Sequence, residues 1–265
     1  LDALENMFKA GLMQTDPHWD NFLFDGQKLW MVDAGGIRRA SRSTDLQDNL
    51  GLVVAQCGAA DVDIESSLTK NLAQRLSLSS AGLARQVRVN RSSRIARFLK
   101  KTLRSSTRIE AVTYQDMRGL KRRALSSEDL QKLVSAIEAG CGDKALKEGR
   151  SATVFVCGEY VVKRYNCHSP WQRLKRTMGR DRALKAWQMG HALSHFGITT
   201  PVPELYLASP DGTRYLVTRL ISDSSELKTL LADGGSEALT SCRLLLESLH
   251  RFNFWHGDAK ARNFI

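Results

Sequence analysis

Two short stretches of this chain repeat the same pair of polar residues at the same spacing. Asp16 precedes Asn21 by five positions, and Asp258 precedes Asn263 by the same interval. During phosphoryl transfer an Asp can orient a hydroxyl group and accept its proton, and an Asn five positions later can hold a metal ion on the phosphates. Lys260, two positions after the second Asp, can offset the charge of the transferring group. This spacing therefore indicates transfer of a phosphoryl group to a hydroxyl.

The residues around the two stretches repeat as well, at a constant offset of 242 positions. At that offset Leu4 falls on Leu246, and Phe22 falls on Phe264. An apolar helix is therefore predicted before each stretch and an apolar strand after each. A period of this length is too long for a solenoid and suits two copies of one domain.

The chain that follows the first stretch supplies a further candidate residue. Asp25 and Gly26 form a hairpin turn signal between two apolar runs, and the second run ends at Asp33, shortly before Gly35. A metal-binding Asp of a kinase-like fold occupies such a position, at the end of a strand and before a flexible Gly. The order of these residues predicts Asp33 as a second metal ligand beside Asn21. The plain alternative is a surface hairpin rich in Asp and Asn.

The composition bounds the class of partner. The formal net charge of +11 points to nucleic acid, an acidic membrane face or a phosphorylated substrate. The five scattered cysteines lack metal-type pairing and are typical of free thiols in a reducing compartment. The chain does not begin with Met and stops inside a motif, so we expect a fragment that is cut within both repeats.

Residues 85–108 place basic side chains at near-helical spacing, with Ile95, Phe98, Leu99 and Leu103 between them. An amphipathic basic helix can lie on an anionic membrane surface. The alternative is a solvated linker helix that packs on its own domain. Nucleic acid is not expected as a partner, because no aromatic platform and no known nucleic-acid motif accompanies the charge.

Residues 145–165 are predicted to form three strands, separated by a loop and a tight turn. The loop region contains Gly149, Ser151 and Thr153, whose backbone N–H groups and hydroxyls could cradle the phosphates of ATP. Lys163 lies on the third strand, where a lysine would reach the α- and β-phosphates.

A lysine in that position of a kinase pairs with a Glu on the next helix. Residues 181–196 have the apolar spacing of this helix but contain no Glu, and Gln188 is the nearest polar candidate. His191 and His195 are four positions apart on the same helix. No third metal ligand accompanies them, so we interpret them as surface or core histidines.

Together these segments resemble the bacterial lipopolysaccharide core kinases, the Kdo/WaaP (InaA-like) group of the protein-kinase-like superfamily. The resemblance is carried by LKEGRSATVFV, by the VVKRYN strand, by the helix that contains AW, by GITTP and by HGDAKARNFI. It implies an α+β fold in which the helical C-lobe of one copy is followed by the mixed β-sheet N-lobe and catalytic loop of a second. Residues 1–85 match the C-lobe, residues 86–140 form a basic junction with a helix and a hairpin, and residues 141–265 match the N-lobe through the catalytic loop.

The resemblance implies phosphorylation of a sugar hydroxyl, of heptose or Kdo, in the lipopolysaccharide inner core, with ATP and Mg²⁺ as cofactors. The acceptor would be lipopolysaccharide core or a lipid A-linked sugar, at the cytoplasmic face of the inner membrane. Basic residues 85–108 would attach the protein peripherally to that anionic surface.

The roles that the family's motif assigns fall on both stretches. Carried over, Asp16 and Asp258 are catalytic bases, and Lys163 is the phosphate-binding lysine. The metal ligands are Asn21, Asn263 and Asp33. The first stretch departs from the second at two places: His18 stands where the second has Lys260, and Gln14-Thr15 stands where the second has His256-Gly257. A His in the place of the Lys occurs in small-molecule kinases, so His18 is kept among the catalytic candidates.

Two other functions stay open from the sequence. The first is a small-molecule kinase of the aminoglycoside or choline type, for which membrane association is not expected. The second is a membrane-associated pseudokinase scaffold, which would bind without catalysis. We also expect little activity from these 265 residues alone, because one stretch lacks its N-lobe and the other lacks its metal-binding Asp.

Overall fold

Apolar positions that the sequence spaces at helical intervals near its start are buried together. The computed structural model describes residues 2–140, 145–232, 235–257, 260 and 264. Its first unit comprises Leu1–Ala96 and Leu246–His256. The elements that begin in this unit are α1 (Asp2–Lys9), β1 (Leu12–Gln14), β2 (Phe22–Phe24), β3 (Leu29–Met31), β4 (Ile37–Arg39), α2 (Ser43–Val54), α3 (Val62–Arg75) and α4 (Ser80–Lys101).

Helices α2, α3 and α4 form the core of the first unit. The buried side chains of this core are Leu50, Val54, Ala55, Leu72, Ala73, Leu83 and Val87. Leu4 and Phe8 of α1 pack against them from the edge. The core therefore holds α1 in place directly before the first candidate stretch.

Two small antiparallel pairs lie between α1 and α2. Strand β1 pairs with β4, so that Gln14 lies opposite Ile37. Strand β2 pairs with β3 through the predicted turn, where Gly26 has a φ of +97°, a left-handed conformation that favours glycine. The pairing of β1 with β4 brings the chain back to the place where the candidate stretch begins.

The second unit comprises Arg97–Leu245 and Gly257–Ile265. Helix α4 ends in this unit, and a further helix, α9, begins in it and ends in the first unit. The elements that begin in the second unit are β5 (Ile109–Tyr114), β6 (Met117–Arg122), α5 (Ser127–Glu138), β7 (Ala145–Lys147), β8 (Ala152–Cys157), β9 (Tyr160–Tyr165), α6 (Pro170–Thr177), α7 (Arg182–His195), β10 (Pro203–Ala208), β11 (Arg214–Arg219), α8 (Leu227–Ala232) and α9 (Ser236–Arg251).

The strands of the second unit form one seven-stranded sheet in the order β5-β6-β10-β11-β9-β8-β7. Every pairing in it is antiparallel, so the expectation of a mixed sheet was wrong. The reason is local: short turns join β5 to β6, β8 to β9 and β10 to β11, and such hairpins produce antiparallel neighbours. The hairpin of β5 and β6, within the segment that the sequence suggested as a junction, forms one edge of this sheet.

The two faces of the sheet are covered by different helices. On one face, Leu133, Val134 and Ile137 of α5 form a cluster with Met117, Leu125, Phe155, Tyr160, Val162, Leu205, Leu207 and Val217. On the other face, Ala183 and Trp187 of α7 form a cluster with Ile109, Leu120, Tyr165, Tyr206 and Leu216. Because strand side chains alternate between faces, Lys163 shares the α7 face with Tyr165.

None of the helices in the described ranges combines the length and the apolar character needed to cross a lipid bilayer.

Candidate active site

Asp16 lies in an exposed loop that follows β1, and its backbone carbonyl organises that loop. The side-chain Nδ2–H of Asn21 donates to the Asp16 carbonyl oxygen over 2.8 Å. The backbone N–H of His18 donates to the same oxygen over 2.7 Å, and the N–H of Asn21 donates to the His18 carbonyl over 2.9 Å. The five-position spacing therefore closes a turn in which the Asn side chain reaches back to the Asp.

The end of α2 and Gln56, two residues beyond it, hold this loop through hydrogen bonds. Trp19 donates its indole N–H to the carbonyl of Val53 over 2.9 Å and its backbone N–H to Oε1 of Gln56 over 2.9 Å. The side chain of Gln56 also donates to the carbonyl of Pro17. These contacts hold the backbone of the loop that carries Asp16, while Asp16 itself is exposed.

The His18 side chain is exposed beside a different carboxylate of the loop. Its Nδ1 lies 3.1 Å from Oδ2 of Asp20. The side chain of His18, the candidate catalytic histidine, is therefore paired with Asp20.

Asp33 is linked to the same turn through the backbone. The N–H of Val32 donates to the carbonyl of Asn21 over 2.9 Å, which ties the end of β3 to the start of β2. Asp33 itself has φ 59° and ψ 53°, a left-handed conformation that is unusual for a residue other than glycine. Such conformations cluster at functional sites, where surrounding contacts hold them in place. One hydrogen bond therefore joins Asn21 to Asp16, and a second joins Asn21 to Val32, the residue directly before Asp33.

Gln14 holds the turn at Asp33, and the sequence did not predict this role. Its Nε2–H donates to the carbonyl of Asp33 over 2.9 Å. Its backbone N–H donates to Oδ1 of Asn49 over 3.3 Å, and its backbone carbonyl accepts from Nδ2 of Asn49 over 2.6 Å. Gln14 is 1% exposed, and its Oε1 is buried with no hydrogen-bond partner among the described residues. The signal available in the sequence was its alignment with His256, whereas nothing local marked Asn49.

The donor set of this turn suits a magnesium ion. The Asn21 amide and the Asp33 carboxylate offer oxygen, the ligand that Mg²⁺ prefers. The described residues contain no group of three His, Cys, Asp or Glu side chains that could hold a metal ion. Magnesium sites in phosphoryl-transfer enzymes commonly use one or two carboxylates together with substrate phosphates, so two protein ligands are compatible with the ion.

The second stretch is partly outside the described residues. Asp258 and Asn263 fall there, while His256 and Lys260 are described and exposed. The helix that leads to the stretch, α9, ends in the first unit, where Leu249 and Phe252 are buried. The structure thus describes how the chain approaches the second stretch, and the geometry of its catalytic pair stays a prediction.

A shared carboxylate fixes the end of α9. Arg251, its last residue, pairs with Glu65 of α3. Arg91 of α4 pairs with the same carboxylate oxygen over 2.5 Å and is 3% exposed. At the repeat offset Arg251 corresponds to Lys9, which instead pairs with Glu5 in its own helix. The two helices that precede the stretches are therefore anchored by different contacts.

The loop proposed to bind phosphate is closed by Asn166, just after β9. Its Nδ2–H donates to the carbonyls of Gly149 over 3.1 Å and Arg150 over 3.4 Å, and its backbone N–H donates to the carbonyl of Ser151 over 3.1 Å. His168 contacts the Arg150 carbonyl through Nε2 at 2.5 Å, which requires a proton on that nitrogen. The carbonyls of Gly149, Arg150 and Ser151 therefore all point toward Asn166.

The direction of these carbonyls sets the direction of the loop amides. In a trans peptide the C=O and the N–H of the following residue point to opposite sides. The N–H groups of Arg150 and Ser151 therefore point away from Asn166. Two successive amides with one orientation could donate together to a single anion.

Thr153 is placed apart from Lys163. Val154 lies opposite Lys163 in the pairing of β8 with β9, and Thr153 lies opposite Arg164, so the Thr153 side chain occupies the opposite face of the sheet. Its hydroxyl accepts from Arg164 Nη2 over 3.4 Å and lies 3.5 Å from Asn166 Nδ2. The structure brings Gly149 and Ser151 together in the loop but ties the Thr153 hydroxyl to neighbouring side chains.

Lys163 stands in a positively charged setting. Burial lowers its pKa, and the positive charges of Arg182 and Lys147 lower it further. Its Nζ lies 5.2 Å from the ring centroid of Tyr165. Among the residues that the structure describes, no carboxylate contributes to the shift of its pKa. A half-buried ammonium group among other cations is a setting in which an anion would be stabilised.

Three polar side chains of α7, those of Gln188, His191 and His195, contact groups other than Lys163. Gln188 donates to the carbonyl of Leu99 over 3.1 Å and so does not serve Lys163. His191 is buried edge-on against Trp187, and burial, together with Arg122 and Arg108, lowers its pKa to about 4. His195 stacks on the ring of a phenylalanine in α4. These positions agree with core and surface histidines on this helix.

Comparisons with known proteins do not assign the chain to a family. No protein-family model matches it, and no solved structure matches it significantly.

Proposed function

We propose that this protein is a kinase that transfers the γ-phosphoryl group of ATP to a sugar hydroxyl, of heptose or Kdo, in the lipopolysaccharide inner core. The observation that carries the proposal is the hydrogen-bonded path from Asp16 through Asn21 to the turn at Asp33. A proton acceptor and two oxygen ligands for a metal are the parts that phosphoryl transfer to an alcohol requires.

Each residue of the path has a distinct task. The Asp16 carboxylate would orient the attacking hydroxyl and accept its proton. Oxygens of Asn21 and Asp33 would hold Mg²⁺, which when bound neutralises charge on the phosphates. His18, or Lys260 in the second stretch, would lie near the transferring group and offset its charge. Most of the rate would come from positioning and electrostatics, because little covalent chemistry falls to the protein.

The nucleotide would be held by the second unit. Lys163 lies on β9, the second strand after the loop that contains Gly149, and α7 follows β9 after the short helix α6. A phosphate loop, a strand lysine and a helix follow in this order in protein kinases. The half-buried setting of Lys163 and the amides of Arg150 and Ser151 favour a polyphosphate. We therefore interpret the α+β chain as a kinase-like C-lobe followed by the N-lobe and catalytic loop of a tandem copy.

The acceptor follows from the resemblance and from charge. The net charge of +11 suits an acceptor that is rich in phosphate and held at a membrane. A protein that acts on such an acceptor would be peripheral on the cytoplasmic face of the inner membrane. A free small acceptor, as in the aminoglycoside or choline kinases, would need no membrane contact.

One observation favours a second candidate, a membrane-associated pseudokinase scaffold. Within the described part of the chain, no carboxylate contributes to the pKa shift of Lys163, and Gln188 of α7 donates to the carbonyl of Leu99. Protein kinases need the Lys–Glu ion pair for full activity. A domain without that pair could retain binding and lose catalysis.

The test is transfer of radiolabelled γ-phosphate from ATP to core lipopolysaccharide, to free heptose and Kdo, and to aminoglycosides and choline. We would compare the full-length wild-type protein with its variants Asp16→Asn, Asp258→Asn and Lys163→Met. Asp63→Asn removes an exposed carboxylate on α3 and serves as the control. The kinase proposal expects label in lipopolysaccharide that survives in the control and is lost in Lys163→Met and in at least one of the two Asp variants.

Other outcomes would separate the alternatives. Label only in a small acceptor would assign the aminoglycoside or choline type. Absence of label from every acceptor, with ATP binding or membrane binding retained, would assign the scaffold.

A further inference from the structure

Helix α6 is short but is capped at both ends. Ser169 precedes it and accepts the N–H of Gln172 over 3.2 Å. At the other end Gly179 has a φ of +85°, and the N–H of Arg180 donates to the carbonyl of Lys175 over 3.0 Å. These are ordinary signals that start and stop a helix, so the orientation of α6 is set by the chain around it.

The side of α6 that faces the protein is polar. Arg176 donates to the backbone carbonyls of Tyr165 over 3.2 Å and Asn166 over 2.7 Å, and also to that of Gly212. One guanidinium group thus ties the helix to the end of β9 and to the turn between β10 and β11. No residue of α6 is buried.

The opposite side of α6 is apolar and faces solvent. Trp171, Leu174 and Met178 follow at intervals of three and four positions, which places them on one helical face. Their exposed fractions are 62%, 47% and 73%. Lys175 lies in the same stripe, with its Nζ 5.3 Å from the ring centroid of Trp171. Helices on the surface of soluble domains usually turn such a face inward, so this orientation needs a partner.

The charge around α6 indicates the chemistry of that partner. Residues 166–185 contain a single acidic residue, Asp181. It is buried and accepts hydrogen bonds from Arg214 and Tyr206, each over 2.8 Å. The basic residues in the same segment are Arg173, Lys175, Arg176, Arg180, Arg182 and Lys185. The apolar face is therefore flanked by positive charge with no exposed acid in its segment.

The basic helix α4 does not offer a comparable apolar face. Ile95 is buried, and Phe98 stacks on His195 with ring centroids 4.0 Å apart. Arg91, one of its basic residues, is buried in the pair with Glu65. Helix α4 can contribute exposed charge to an anionic surface, but most of its apolar side is used within the protein.

We propose that α6 docks the protein on an anionic lipid bilayer, with Trp171, Leu174 and Met178 entering the headgroup region and basic side chains contacting lipid phosphates. Interfacial helices combine an apolar face containing Trp with Lys and Arg at its border. Trp prefers this depth, and Lys175 can extend its ammonium group to the phosphates while its methylenes stay among apolar groups. The binding needs neither ATP nor catalysis, so it stands or falls independently of the proposed kinase activity.

The test is cosedimentation of the wild-type protein with phosphatidylcholine vesicles, prepared with and without phosphatidylglycerol. We expect binding only to the anionic vesicles, and weaker binding at high salt because screening reduces attraction between exposed charges. The triple variant Trp171→Gln/Leu174→Gln/Met178→Gln loses the apolar area that enters the bilayer. We expect its affinity for the anionic vesicles to fall by about tenfold or more.

A matched control variant and a second readout distinguish a specific loss of binding from misfolding of the triple variant. Val62→Gln/Ile64→Gln removes two apolar side chains of α3 that are 50% and 51% exposed, and should bind vesicles as wild type does. Lipids brominated in the acyl chain should quench the fluorescence of bound wild-type protein. In Trp171→Phe, which keeps an apolar side chain, that quenching should fall while binding persists.

Three results would overturn the proposal. The first is equal vesicle binding by the wild type and the triple variant. The second is equal binding to neutral and anionic vesicles, or to neither. The third is loss of binding in Arg97→Glu/Lys100→Glu/Lys101→Glu with full binding by the triple variant, which would assign the contact to α4.

Discussion

The side-chain amide of Asn21 donates to the backbone carbonyl of Asp16 over 2.8 Å, so the candidate metal ligand also holds the backbone of the candidate base. Asn21→Asp keeps an oxygen ligand but cannot donate this bond. We expect kcat to fall by about 10- to 100-fold with little change in the Mg²⁺ concentration for half-maximal activity.

Asn21→Leu separates the two tasks, because it removes both the bond and the ligand. Its Mg²⁺ requirement should rise in the same titration, in addition to the loss of kcat. A wild-type kcat in Asn21→Asp would show that the bond to Asp16 does not matter for turnover.

Gly36 borders the side chain that holds the turn at Asp33. A Cβ added at Gly36 would lie 2.1 Å from Oε1 of Gln14, so Gly36→Ala must displace Gln14 and break its bond to Asp33. We expect a loss of about 1 kcal/mol in the free energy of unfolding and a larger proportional loss of activity. Gly35→Ala, whose Cβ would meet Asp33 Oδ1 at 3.8 Å, should fold normally. Urea denaturation and kcat/KM, measured on both variants, check the difference.

Asn166 shapes the candidate phosphate loop through three carbonyls. Asn166→Ala removes its side-chain bonds to Gly149 and Arg150, and we expect the Kd for ATP to rise about tenfold as the loop amides lose their common orientation. Thr153→Val should change the Kd by less than about twofold, because that hydroxyl lies on the other face of the sheet. Equilibrium binding of ATP measures both. Equal losses in the two variants would contradict this account of the loop.

His191 should make stability depend on pH. Burial, assisted by Arg122 and Arg108, lowers its pKa from 6.5 to about 4, so the unfolded chain binds more protons between these values. Stability is therefore complete above pH 6.5 and is lost as the pH falls toward 4, by about 2 kcal/mol between pH 7 and pH 5. Urea unfolding at the two pH values should show a smaller drop in His191→Leu. His250→Gln, on an exposed histidine, should keep the full drop.

Glu65 holds two arginines, one of them almost completely buried. Glu65→Ala leaves the Arg91 guanidinium without its carboxylate, and we expect a loss of about 3 kcal/mol in the free energy of unfolding. Glu128→Ala breaks an exposed pair with Lys132 and should cost less than about 1 kcal/mol. Thermal or urea unfolding compares them. Recovery in Glu65→Leu/Arg91→Met would confirm that the unpaired charge, not the lost packing, is responsible.

Local signals in the sequence were sufficient for most of the secondary structure. The hairpin turn at Gly26 is where the turn residues Asp25 and Gly26 predicted it. The spacing of Asp16 and Asn21 predicted a shared loop, which the structure contains. These features depend on a few neighbouring residues, so composition and spacing are enough to specify them.

Contacts between distant residues were decided only by the tertiary structure. Gln14 meets Asn49 across 35 positions, and no local pattern marks either as a support of the turn at Asp33. Helical spacing identified an apolar face in residues 85–108 but could not tell that Ile95 is buried and that Phe98 stacks on His195. The outward face of α6 was likewise beyond the sequence, because periodicity defines a stripe on a helix while the neighbouring elements decide which side meets water.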